Sequence, residues 1–97
     1  MNDPTEVSIK LSRQKALVLF EWAYRFMERQ DATLTHPADA VVVDTLASEL
    51  EWLLPEVFTD RYPQLLVESR SAVLNEYRKK MFSGTEWLDG IPYQDIP

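Results

Sequence analysis

The residues that most often carry chemistry are sparse in this chain, and their spacing is not that of a reaction centre. Its one histidine, His36, precedes Pro37. A single imidazole with no cysteine and no second histidine cannot build a typical zinc site or a catalytic triad, so a structural role at a helix start is expected. Asp44 and Glu51 stand two turns apart on one helix face, but acid/base work needs a pocket that perturbs such carboxylates, and a solvated face is the simpler reading. With two glycines, Gly84 and Gly90, there is no phosphate-cradling loop. The run Arg78-Lys79-Lys80 beside Tyr77 suits the negative end of a helix better than a nucleic-acid backbone. No catalytic residue, cofactor or metal ligand set is predicted, and the chain is read as a non-enzyme.

Two other features point to binding or to internal pairing. Arg70 falls within an otherwise apolar helical arc, where an unpaired guanidinium would be costly; a carboxylate partner is expected from Glu21 or Glu49. The stripe Val41, Thr45, Ser48, Trp52 follows the i, i+4, i+7, i+11 spacing of one helix face and borders Asp44 and Glu51. An aromatic ringed by acids has the make-up of a binding hot spot. The alternative, that Trp52 and Val41 pack beneath a chain terminus, is left open by the pattern.

The elements that must position these residues are helical. From Leu11 to Gln30 the chain steps as an amphipathic helix with Gln14, Glu21, Arg25 and Glu28 on a narrow polar stripe and apolar residues over most of the remaining girth. Such a helix is the centre of a bundle, and it is expected to be the most buried element. Ser12 is its expected N-cap. A second helix is predicted from Pro37 to Leu54, with Val42, Val43, Leu46, Leu50, Leu53 and Leu54 inward and Pro55 as its stop. Val57 and Phe58 are expected to plug the bundle end. A third helix is predicted over 62–82, capped by Thr59 or Asp60 or begun by Pro63, with Leu66, Val67, Val73, Leu74, Tyr77 and Met81 inward and Gly84 closing it.

The flanks are apolar enough to need an explanation. Val7, Ile9 and Leu11 alternate with polar residues, the two-residue period of a strand. Residues 1–11 are read as an extended arm laid on the bundle, or else paired with the same arm of a second copy or with a sheet edge of another protein. Residues 83–97 are broken by Gly90, Pro92 and Pro97 yet carry Trp87, Leu88, Ile91, Tyr93 and Ile96. This tail is expected to dock across the bundle or to reach a partner. The predicted architecture is therefore all-α: one domain over 1–97, built as a small three-helix bundle with a helical core at 12–82.

Composition narrows the function classes. Hydrophobic residues make up 45% of the 97 positions, which is enough for one core. The absence of cysteine suits a reducing compartment, and neither a signal peptide nor an apolar run near the ~20 residues of a membrane span is present; a cytoplasmic protein is expected. The net charge of -6 is concentrated. Residues 32–60 hold six acids and no Lys or Arg, a surface that repels nucleic acid and favours a basic protein partner.

The segment ALVLFEW from Ala16 to Trp22, followed by the acidic second helix and by a Tyr-Pro just after Phe-Thr-Asp, resembles a set of short, uncharacterised bacterial all-helical proteins over residues 8–80. In size, acidity and helical make-up the chain is also similar in type to the small cytoplasmic immunity proteins that neutralise bacterial toxins. That likeness implies a protein that binds and occludes a basic toxin; a self-associating helical adaptor, using the apolar excess of the first helix or of the tail as a homodimer seam, is the alternative. The expected partner-binding residues are Asp44, Ser48, Glu51, Trp52, Trp87 and Tyr93.

Overall fold

The computed structural model describes residues 5–29 and 36–91 and forms an all-α three-helix bundle. Helix α1 is Arg13–Arg29, α2 is Pro37–Leu53 and α3 is Tyr62–Lys80; a 3-10 turn, Pro55–Phe58, joins α2 to α3, and a second, Glu86–Gly90, follows α3. The start of each helix follows from local chemistry. Ser12 caps α1, its hydroxyl accepting from the Lys15 amide at 3.2 Å. His36 caps α2: its backbone is extended, and its Nδ1 accepts from the Ala38 amide at 3.0 Å while Pro37 fills the first helical position. At α3 neither Thr59 nor Asp60 caps. The Thr59 hydroxyl turns back to the Glu56 carbonyl, and Arg61 occupies the cap position without a side-chain bond.

α1 is the hub, packing against both α2 and α3, whereas those two meet chiefly through the 3-10 turn between them. The core is correspondingly α1-centred. Leu17 and Phe20 of α1 close on Leu50 and Leu54, with Leu46, Val57 and Tyr62 packed around them. Ala23 is fully buried, and Ala47 and Leu66 carry the contacts outward along the two flanking helices. As the width of its apolar arc predicts, α1 supplies more buried residues than either neighbour.

Several inward assignments do not hold. On α2, Val42 and Leu53 are exposed; on α3, Val67, Leu74, Tyr77 and Met81 are exposed and Ser69 is buried instead. The physical reason is that each flanking helix has one packing partner, α1, so the buried strip is narrow and the edges of a wide apolar arc stay in solvent. Of the expected plug, Val57 packs on the core but Phe58 is 72% exposed. The N-terminal arm has no regular structure from Glu6 to Ser12, and Val7 and Ile9 are exposed rather than laid on the bundle; no strand exists among the described residues for them to pair with. α3 closes at Met81, whose extended backbone ends the helix. Gly84, at φ +81°, is left-handed but shapes the turn beyond it. The following 3-10 turn is tied back to α3 by Arg78 and Asp89 at 2.6 Å, and Trp87 stays more than half exposed. No helix among the described residues is long and apolar enough to cross a membrane.

Candidate functional site

The acid-flanked stripe of α2 lies on the side of the helix away from α1. Trp52 is 88% exposed, so no described residue of the arm or the tail covers it; its chain neighbour Leu53 and, about three turns nearer the helix start, Val41 and Val42 are exposed as well. Asp44, Thr45 and Ser48 share this outward side, with the Thr45 hydroxyl donating back to the Val41 carbonyl at 2.8 Å. Glu51 does not join them. One residue along a helix is a rotation of about 100°, and that step carries Glu51 away from Trp52 and into a depression on the α1 side. The predicted partner-binding set is thus divided between two places, with Trp87 in a third and Tyr93 outside the described residues.

The depression, of about 360 Å3, forms where α1, the end of α2, the 3-10 turn and the start of α3 converge. Its walls are aromatic. Phe20 stacks with Tyr24 at a centroid separation of 5.8 Å and meets Tyr62 edge-on at 6.3 Å, and the exposed Phe58 stands at the rim. Its polar lining is Glu21, Glu28 and Glu51 against a single cation, Arg25. The Tyr24 hydroxyl is held above its ordinary value of 10.0, first by a hydrogen bond to Glu28 and then by that residue's charge, with burial and the charges of Glu51 and Glu21 adding to it.

Glu21 anchors this corner. Only 6% exposed, it accepts from the Tyr62 hydroxyl at 2.7 Å through one carboxylate oxygen and from Arg25 through the other. Burial, and next the hydrogen bond to Glu21, push the Tyr62 phenol well above its ordinary value. This arrangement overturns the expected Arg70 pair. Arg25, one turn away on the same helix, and Tyr62 already occupy both oxygens of Glu21, and Glu49 is exposed on α2. Arg70 is half-buried and makes no salt bridge with any described carboxylate; its charge acts on Tyr62.

A different ion pair fastens the end of the bundle where the 3-10 turn joins α2 to α3. Arg13 grips Glu56 with both donors, at 2.5 and 2.7 Å, and also donates to the Leu53 carbonyl at 3.1 Å. The guanidinium bond holds the Glu56 carboxyl below the usual carboxylate range, and that bond in turn raises Arg13. Nothing in the spacing of these two residues announces the pair; the one available signal was that Glu56 follows the proline that turns the chain back toward the start of α1.

Among the described residues, no group of three His, Asp or Glu is placed to hold a metal ion. The chain matches no family model, and no curated protein or solved structure shows significant similarity to it.

Proposed function

We propose that this chain is a small acidic binding protein, not a catalyst, that docks a basic protein partner on the outward face of α2 and occludes it in the manner of a cytoplasmic toxin-immunity protein. The observation that carries the reading is Trp52, a large aromatic 88% exposed on a helix that also exposes Val41, Val42 and Leu53 and lies in a segment whose charges are all negative. A tryptophan desolvated against a partner, rimmed by Asp44 and Ser48, has the anatomy of an interface anchor. The charge around it speeds and selects association with a basic surface.

Co-purification from the native host, followed by binding kinetics with the partner recovered, tests this. Association is expected to slow markedly when salt rises from roughly 0.05 to 0.5 M, and Trp52→Ala is expected to raise the dissociation rate by a factor of about 30, equivalent to ~2 kcal/mol. Rates indifferent to both changes remove α2 as the docking face.

A second reading is favoured by the apolar character of the same stripe: Val41, Val42, Trp52 and Leu53 would also serve as the seam of a homodimer. Light scattering separates the two, since self-association gives a mass that doubles with concentration and reverts in Trp52→Ala.

A further inference from the structure

The depression beside Glu51 has a lining that is not explained by the packing of the bundle. Four aromatic rings converge there, yet the space between them is unfilled, and Phe58 and Tyr24 expose much of their surface at its mouth. At about 360 Å3 it lies at the small end of ligand pockets and has ample room for one side chain. Its charge is also unbalanced. Arg25 is engaged with Glu21, whereas Glu28 and Glu51 make no salt bridge among the described residues. Among the described residues two carboxylates therefore remain without a cation against aromatic faces, Glu28 engaged only by the neutral Tyr24 hydroxyl. Ring quadrupoles attract cations, and a planar guanidinium both stacks on such rings and pairs with carboxylates through its fork of donors. The same lining already handles one guanidinium, that of Arg25 on Glu21.

We propose that this depression receives the guanidinium of an arginine presented by the basic partner protein, stacked between Tyr24 and Phe58 and paired with Glu28 and Glu51. The inference rests on the preceding reading for its occupant, and it adds a socket to a docking face that would otherwise consist of the Trp52 stripe. Because Glu51 and Trp52 are neighbours on α2, a partner reaching around this helix engages both.

The test uses the whole chain and N-acetyl-arginine methylamide as the probe, followed by the ring-proton resonances of the aromatic residues. Saturable shifts of Tyr24, Phe58 and Tyr62 are expected, with a dissociation constant on the order of millimolar and no response at Trp52. Glu51→Gln and Glu28→Gln are each expected to weaken binding about threefold to fivefold, with amide spectra showing the fold retained. The neutral citrulline analogue, which keeps the shape and loses the charge, is expected to give no saturation. Equal binding of the citrulline analogue, or affinities unchanged in both Gln variants, overturns the proposal. So does free arginine binding at least about tenfold more tightly than the capped residue, since that marks a small-molecule site rather than a socket for a polypeptide. The titration requires no partner, so failure of the pocket is distinguishable from failure of the Trp52 docking face, which is read in the partner's dissociation rate.

Discussion

The two sides of α2 are chemically alike and physically opposite. Leu50 and Leu54 face α1 and are buried, Leu54 to 2% exposure; the side chains of Val42, Trp52 and Leu53 lie mostly in solvent. Both sides carry large apolar residues, interspersed on the outward one with Asp44, Thr45 and Ser48, and what buries one set is the presence of a neighbour. α1 is flanked twice and buries Leu17, Phe20, Glu21 and Ala23, whereas α2 is flanked once and is left with apolar surface that adds little to the stability of the isolated chain. Surface of that kind is informative about partners, because folding does not require it.

The sharpest way to break this comparison is to truncate one residue on each side. Leu54→Ala is expected to destabilise the chain by ~2–5 kcal/mol, through lost transfer energy and the cavity left behind, while Trp52→Ala changes stability by less than about 0.5 kcal/mol. Urea midpoints measure both, and a large loss at Trp52 would mean that the ring is covered in solution.

A smaller effect tests the corner where α1 meets α3. Tyr62→Phe keeps the ring against Phe20 but leaves one oxygen of the buried Glu21 without its donor, at a cost of ~1–3 kcal/mol. The matched change Tyr24→Phe, at an exposed ring, should lie within the error of the urea midpoint.

The smallest effect concerns pH and the Arg13–Glu56 clasp. The folded state holds the Glu56 carboxyl below its ordinary value of 4.5, so the unfolded chain binds the proton more readily. The stabilisation is accordingly complete above the unfolded value and is lost as pH falls through the depressed folded one. Glu56→Gln is expected to flatten the acid limb of a stability profile below about pH 4.5 and to lower the plateau near neutrality slightly, the exposure of Arg13 keeping the effect modest. A profile identical to that of the parent would show that the clasp is not formed in solution.

The helices were legible because their boundaries are written locally: Ser12, the His36-Pro37 pair, Pro55, Pro63 and the basic run at 78–80 each act within a turn of their own position. The hub role of α1 was legible from the breadth of its apolar arc. What the pattern could not supply was the choice of half on α2 and α3. Val42, Leu53 and Val67 sit on the margins of wide apolar arcs, and which margin is buried depends on how the helices cross, a property of no single segment. The same limit explains the buried site. Glu21 reads as one member of a polar stripe with Gln14, Arg25 and Glu28, and only the approach of Tyr62 from α3 buries it. Arg70, expected to pair with Glu21 or Glu49 for its place in an apolar arc, pairs with neither: Arg25, one turn from Glu21 on the same helix, takes the first, and the second is exposed on α2.

The 3-10 turn Pro55–Phe58 touches the ends of both α2 and α3, and among the described residues the long-range side-chain fastenings, Arg13 to Glu56 and Tyr62 to Glu21, lie at that end of the molecule. The far half of α3 has none of this: its fully buried residues, Leu66 and Ser69, are in the first half, and Leu74, Tyr77 and Met81 are all partly in solvent. Local opening should therefore be graded along α3, lowest in free energy at the basic terminus and rising toward the hinge, so that the last turns can fray while the α1–α2 pair stays closed. In this bundle the third helix behaves less like a structural wall than like a door hung on one side.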